Sequence, residues 1–359
     1  MRLTSLCVKN LRILENVEVS TDADLVVFSG LNGSGKTSLL EAIHILGTGR
    51  SFRTHKINNV LTHNSESLLV RGSVVDAQRH ESNVGVEKKQ RGGTRFRINN
   101  NEIKTASALA RHLPIVVVTP DSQRILTDGA EIRRKLLDWL MFHVEPEYNV
   151  LHQRYRRALK QRNSALRQPQ TEHHGIWDEE LGITGQALHQ LRTQHLVSAL
   201  TVLSAVFGDL LKIPITIEYK PGWDTDDDLT ALLKSNWLSD CRRGYTSAGP
   251  HRADLVFSVG GSHAREILSR GESKLLTVGV LIGLSKLLAQ TVGRTPLLLV
   301  DELASELDHE NRARFFEALK ATRAQVFVTT VSEDLVSAPD WAQVLYYQVV
   351  QGELRKVLK

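Results

Sequence analysis

Cysteine is nearly missing from this 359-residue chain: Cys7 and Cys241 stand far apart and in no Cys-x-x-Cys or Cys/His spacing. That excludes a disulfide framework and a zinc site of ordinary spacing, fits a reducing compartment, and leaves both thiols as small hydrophobes. Long apolar runs are missing too. The most apolar stretch, Leu275 to Leu284, is interrupted by Thr277, Gly279 and Gly283 and followed by Lys286. A bilayer span needs roughly 20 apolar residues, so this stretch reads as a buried core helix. Met1 to Val8 alternates like a strand and carries no signal-peptide hydrophobic region, so a cytoplasmic protein with no membrane role is expected. There is no internal repeat and no low-complexity tail, and Asp224 to Asp228 reads as a solvated loop. The formal net charge is only +5, which allows an acidic partner such as nucleic acid without demanding one.

What is present fixes a ligand class. Gly30-Leu31-Asn32-Gly33-Ser34-Gly35-Lys36-Thr37 fits the phosphate-binding loop pattern. Leu25 to Ser29 before it reads as a buried strand, and Ser38 to Leu46 after it as a helix. Glycines let backbone N–H groups close around phosphate oxygens, and the helix start aims its positive dipole end at them. Lys36 is placed to reach the β- and γ-phosphates of ATP and Thr37 to ligate Mg²⁺. Pro296 to Glu302 is an apolar strand ending in two carboxylates. Beside a phosphate loop, Asp301 would hold the metal shell and Glu302 would orient or polarise the attacking water.

The remaining pattern places these motifs in an α/β head. Leu68 to Val75, Ser82 to Val86 and Arg95 to Asn99 alternate as strands of an antiparallel layer, and Ile115 to Thr119 is a β-branched run closed by Pro120. From about Glu131 the period becomes helical, through Leu151, Tyr155, Ala158, Arg162 and Leu166. It breaks at Gln168 to Gly175, then resumes from Leu181 to Leu210, which predicts a short antiparallel helical arm. Strand character returns at Ile215 to Tyr219, and further strands are expected at Leu297 to Val300, Gln325 to Thr329 and Val344 to Val350. The expected division is a head of residues 1–123 and 246–359 with an arm, 124–245, inserted between them.

Leu268-Ser269-Arg270-Gly271-Glu272-Ser273-Lys274 resembles the signature motif of ABC-type ATPases, and Ser305 to Asp308 resembles their D-loop. Alone, the first reads as a helix start, with Ser269 as N-cap and Glu272 completing a capping box. The order of the motifs favours the ATPase reading. With Asn10-Leu11-Arg12, Gly47 to Arg53, Pro120-Asp121, Arg133 to Asp138 and Gly249-Pro250-His251-Arg252, the chain resembles the RecF family of SMC-like proteins nearly end to end. The resemblance implies an ABC/SMC-like P-loop head of mixed sheet plus antiparallel layer. It implies ATP bound by Gly30, Asn32, Gly33, Ser34, Gly35, Lys36, Thr37, Ser38 and Arg12. Ser269, Arg270, Gly271 and Glu272 would complete the pocket of the opposite protomer of an ATP-dependent homodimer, with Ser305 and Asp308 in its D-loop. It further implies a weak DNA-stimulated ATPase that cooperates with RecR and RecO to load RecA at single-stranded gaps.

Several positions depart from the family pattern: Ile13, Ala253, and Thr329-Thr330, where no switch histidine stands. Gln123 is the one Q-loop candidate. For DNA, a clamp that neutralises phosphates would use Arg50, Arg53 and Lys56 after the loop helix. The first arm helix offers Arg154, Arg156, Arg157, Lys160, Arg162 and Arg167, with no acidic residue among them. A transporter nucleotide-binding subunit shares the ATP motifs, but its insertion would be far smaller; an ATP-binding scaffold with incidental turnover is the other alternative. No carboxylate cluster of the kind a nuclease needs is found.

Overall fold

The computed structural model describes residues 1–167, 175–336 and 341–357; Gln168 to His174, within the expected break in the arm, lie outside the described residues. The chain divides into two compact units, Met1–Ser122 with Arg270–Lys359, and Gln123–Ser269.

The first unit contains two sheets. Strands β3 (Leu25–Ser29), β8 (Ile115–Val118), β12 (Leu297–Asp301), β13 (Val326–Thr330), β14 (Val344–Val350) and β15 (Glu353–Val357) lie in the order β15-β14-β3-β13-β12-β8. Every pair is parallel except β14 with β15. β3, β12 and β13 are buried throughout, as parallel strands covered on both faces must be, which is why they read as unbroken apolar runs. The second sheet is antiparallel: β1 (Arg2–Leu11), β2 (Leu14–Ser20), β4 (Ser67–Val75), β5 (Glu81–Lys89), β6 (Thr94–Ile98) and β7 (Asn101–Ile103), ordered β2-β1-β4-β5-β6-β7. Only one face is covered: β1 buries Leu6 and Val8 at alternate positions, and a register shift between Leu3 and Ser5 lets Leu3 be buried too.

Helix α1 (Lys36–Thr48) packs against strands of both sheets and buries Leu39, Leu40, Ile43, Ile45 and Leu46 completely. Full burial of each such side chain contributes about 1.5–3 kcal/mol. At Gly47 a Cβ would come within 2.7 Å of the Leu113 carbonyl, so only glycine allows this approach. α2 (Ala106–His112) covers α1. α10 (Arg270–Val292) is long and apolar enough to cross a membrane, but Leu275, Leu276, Ile282 and Leu287 are buried and it packs on β8 and α11 (His309–Lys320). The expected core helix is found.

In the second unit, the helical period that starts near Glu131 is two helices, α4 (Ala130–Val144) and α5 (Tyr148–Leu166). Pro146 separates them: it cannot donate a helical hydrogen bond and pushes Glu145 to φ −115°, ψ 111°. α6 (Ile176–Leu210) runs antiparallel to α5. Tyr148 meets Arg192 (3.1 Å) and Arg162 meets Asp178 (2.5 Å), so contacts descend along one helix as they rise along the other.

The unit is completed by α3 (Arg124–Thr127), α7 (Leu229–Ser235), α8 (Trp237–Arg243), α9 (Ala264–Ile267) and a three-stranded antiparallel sheet. In that sheet β10 (Asp254–Val259) lies between β9 (Thr216–Lys220) and β11 (Ser262–His263). Here the expected boundary after residue 245 is displaced. The ladder from Asp254↔Lys220 to Ser258↔Thr216 ties β10 to β9, so the insertion extends to Ser269. Asp254 adds a bidentate pair with Arg133 of α4 (2.7 and 3.0 Å). The run Asp224 to Asp228 is exposed, and Asp228 caps α7 by accepting from Ala231 N–H (2.7 Å).

Candidate functional site

The glycine loop follows β3 and ends at α1. Gly33 and Gly35 adopt φ 80° and 112°, and a Cβ on Gly30 would lie 2.4 Å from the Val349 carbonyl, so these glycines are sterically required. The first-turn N–H groups of α1 have no intrahelical acceptor. Ser34 Oγ is buried without a hydrogen-bond partner in the structure. Unsatisfied donors and an orphaned hydroxyl around a cradle that side chains would fill are what an anion such as an ATP phosphate needs. Lys36 Nζ donates to the Gly30 and Leu31 carbonyls (2.8 and 3.0 Å) and lies 3.2 Å from Glu302 Oε1. Ser38 is buried within α1. A hollow of about 690 Å³ beside the loop is lined by Gly30 to Ser34, Val331 to Asp334 and Gln348 to Gln351, which brings Asn32 to its wall.

Asp301 ends β12 opposite the loop, and Glu302 follows it. Thr37 Oγ1 and Thr329 Oγ1 both donate to Asp301 Oδ1 (2.9 and 2.7 Å), and Thr329 Oγ1 accepts the Glu302 N–H (3.0 Å). Burial pushes the Asp301 carboxyl above its ordinary range, against the pull of the two hydroxyls; Glu302 adds to the rise and Arg53 opposes it. A carboxylate and a hydroxyl on neighbouring elements are hard oxygen donors that suit Mg²⁺. Glu302 has φ 51°, a left-handed conformation costly for a side chain of its size, which turns its carboxylate away from the strand.

Thr329 is the residue that sequence reasoning missed. Where the family pattern would place a histidine, a buried threonine bonds the Asp301 carboxylate and the Glu302 backbone N–H. Glu41 was missed as well. This fully buried carboxylate on α1 accepts from Arg12 through Nε and Nη2, and from Ser51 Oγ. Arg12, expected on ATP, is thus paired with Glu41 in this structure. One charged residue inside the apolar run Leu39 to Leu46 was the available signal.

Ser269 and Arg270 are exposed at the start of α10, with Gly271 and Glu272 half-buried behind them. Lys274 joins this segment to the expected D-loop, through Glu306 Oε2 (2.9 Å) and the Glu306 carbonyl (3.3 Å). Asp308 caps α11, accepting from Asn311 N–H (2.9 Å). The Ser305 side chain lies outside those described. Gln123 falls in the second unit.

Of the basic candidates, Arg50, Arg53 and Lys56 are exposed, and Arg53 also acts on Asp301. Arg156, Arg157 and Lys160 are exposed on α5. Arg154 differs: Glu180 holds it through two bonds (2.8 and 3.0 Å). Arg162 is no surface charge at all. It is fully buried, and it donates to Asp178 (2.5 Å), Asp240 (2.7 Å), Thr246 Oγ1 (3.0 Å) and the Leu233 carbonyl (2.7 Å). A larger hollow, about 910 Å³, lies on the outer face of the antiparallel sheet; it mixes Lys9, Arg71 and Arg97 with Glu18 and Glu87 and contains no residue of the phosphate loop.

The RecF/RecN/SMC N terminal domain family matches residues 2–352. A protein of Pseudomonas entomophila (strain L48) named DNA replication and repair protein RecF is 35% identical over 360 residues, covering 99% of this chain and 98% of its own. One of the same name in Pseudomonas aeruginosa (strain LESB58) is 37% identical over 339 residues, covering 94% of this chain and 92% of its own. The solved structure of the recombination mediator protein RecF-ATP in the RecFOR pathway superposes with a TM-score of 0.86 at 26% identity, covering 99% of this chain and 98% of that one. An Smc head bound to the C-winged helix domain of ScpA gives 0.62 at 14% identity, over 99% and 98%, a likeness of fold alone. The two sheets around α1, with the helical insertion, are the α/β head of an SMC-like ATPase fold. Likeness of sequence and of fold both extend over nearly the whole length, and the chain belongs to the RecF family.

Proposed function

We propose that this protein is an ATP-dependent DNA-binding protein of recombinational repair, in which two ATP molecules close a homodimer on DNA and slow hydrolysis releases it. The observation that carries this reading is the convergence of Lys36, Thr37, Asp301, Glu302 and Thr329 at one end of a parallel sheet. Mg²⁺, when bound, would neutralise phosphate charge, and Thr37 and Asp301 are the residues that would hold it. Lys36 would bind the β- and γ-phosphates. Glu302 would orient a water and accept its proton. Ser269 to Glu272 of one protomer would complete the pocket of the other, a head-to-tail arrangement about a twofold axis. DNA stimulation, partnership with RecO and RecR in loading RecA at single-stranded gaps, and support of replication restart and the SOS response follow from family membership as parts of the same proposal.

The Lys36–Glu302 contact favours slow turnover, because the carboxylate expected to act on water is engaged by a cation. Light-scattering mass with and without ATP and Mg²⁺ tests the reading. A monomer that becomes a dimer with ATP, and a Ser269→Arg variant that does not, are expected. Unchanged mass, or equal dimerisation of the variant, would favour an ATP-binding scaffold instead.

A further inference from the structure

We propose that the turn 242–246 of the inserted unit, with Arg167 and Arg252, is a binding surface for single-stranded nucleic acid, its phosphates held by arginines and one base stacked on Tyr245. The proposal rests on the DNA-binding reading above and names the surface.

Contacts within one unit bring these residues together. α8 ends in Arg242-Arg243, and Gly244 reverses the chain at φ 75°. Arg167, at the end of α5, donates from Nε to the Gly244 carbonyl (3.3 Å). Arg252 lies over the Tyr245 ring, 4.6 Å from its centroid. Lys160, seven residues before Arg167, shares its face of α5.

Arg156 and Arg157 of α5 are exposed as well, but at this place exposed arginines lie beside an exposed aromatic ring. Arg133, Arg154, Arg162 and Arg192 are each paired with a carboxylate. Arg167, Arg242, Arg243 and Arg252 are exposed and have no carboxylate partner among the described residues. Four such charges around an aromatic ring that is 44% exposed match a phosphate backbone with a base to stack.

The turn is also held rigidly from below, which gives a role to Gly249-Pro250-His251-Arg252. Thr246 N–H and Oγ1 both donate to Asn163 Oδ1 (2.8 Å each). Arg252 donates to the Thr246 carbonyl from Nε (3.2 Å) and Nη2 (3.0 Å). His251, pushed down to about 4 by burial, is neutral at pH 7. Its Nε2–H then donates to the same carbonyl (3.0 Å), while Nδ1 accepts from Tyr155 O–H (2.6 Å). Gly249 is required, since a Cβ there would lie 2.7 Å from that tyrosine oxygen. A turn fixed by this many bonds presents its outer side chains in one geometry, as a binding surface needs.

The test is fluorescence anisotropy of full-length protein with ATP and Mg²⁺, using a labelled oligothymidine and a duplex of equal length across a salt series. Arg242→Glu/Arg243→Glu is expected to weaken single-strand binding at least ~10-fold and to flatten the log–log salt slope by about 1.4, two phosphates at roughly 0.7 each. Arg242→Gln/Arg243→Gln, which adds no repulsion, is expected to give the same flattening. Tyr245→Ala is expected to lose roughly 10-fold on the single strand and little on the duplex, and Tyr245→Phe to bind like wild type. Thermal midpoints and ATP-dependent mass should stay at wild-type values. Variants that bind the single strand with wild-type affinity and slope would overturn the surface while leaving the clamp reading intact, and would point to an acidic protein partner there. Wild-type protein that bound neither oligonucleotide would overturn both.

Discussion

Replacing Arg162 separates two readings of the arm that predict opposite results. As a DNA contact, Arg162→Met would lower DNA affinity and leave stability alone. The structure demands the reverse. Arg162 is fully buried between Asp178 and Asp240, which are themselves at most 2% exposed, and its guanidinium lies 5.5 Å from the centroid of the Trp237 ring. Methionine would preserve much of the apolar stem but remove the cation, leaving two buried carboxylates uncompensated. Breaking one buried pair costs about 3–5 kcal/mol, and with two partners stranded the upper part of that range applies. At about 2–4 °C per kcal/mol for a unit of this size, the transition should fall by roughly 10–15 °C.

Tryptophan fluorescence is the assay, because Trp139, Trp177, Trp223 and Trp237 lie in the inserted unit and only Trp341 lies in the other. Adding Asp178→Asn and Asp240→Asn should recover most of the loss. The amides keep acceptors for groups such as Ser247 N–H, which bonds Asp240 (3.2 Å), while the stranded charges disappear. A fall of less than about 3 °C in Arg162→Met, or no recovery in the triple variant, would refute the reasoning.

Three further outcomes are expected. Thr329→Val keeps the side-chain shape but deletes a hydroxyl bonded to Asp301 and Glu302. It should weaken Mg²⁺-dependent ATP binding by calorimetry by about 1–3 kcal/mol, with Thr329→Ser close to wild type. Asp301→Asn should raise the thermal midpoint of nucleotide-free protein at neutral pH. Because burial raises the Asp301 pKa, the folded state holds this proton more tightly than the unfolded chain, so stability is lost as pH rises from the ordinary carboxylate range through the raised value. The advantage of asparagine should therefore shrink as pH is lowered towards ~4. Glu302→Gln should reduce phosphate release by about 10²–10⁴-fold while prolonging the ATP-bound dimer measured by light scattering.

What could be read in the sequence was whatever local chemistry dictates. The glycine loop is contiguous, and its strand and helix announce themselves by apolar runs on both sides. The end of β12 was legible because two acids closing an apolar strand, in a chain with such a loop, are the oxygen donors that a metal–phosphate site needs. Contacts between distant positions were not. Thr329 lies 28 residues from Asp301, and nothing in a threonine predicts which carboxylate it will meet. The boundary after residue 245 failed because β9 pairs with a strand on the far side of two helices. Arg162 carried its own warning: it fell on the apolar stripe with Tyr155 and Leu166, so the periodicity that predicted the helix had already placed it inside.

The two acids at the end of β12 show how one backbone conformation places adjacent carboxylates in two different environments. Asp301 continues the strand and is buried against two hydroxyls, where desolvation makes its charge costly until a cation offsets it. Glu302, one residue on, enters the left-handed region, and its side chain is 36% exposed. Lys36 is the counter-ion of the second carboxylate and a donor to two loop carbonyls at once. On the proposed reading, a γ-phosphate in the loop would compete for the same ammonium and so loosen the Lys36–Glu302 contact. Thr329 would keep the two acids in register during such an exchange, since its single oxygen bonds both the Asp301 side chain and the Glu302 backbone.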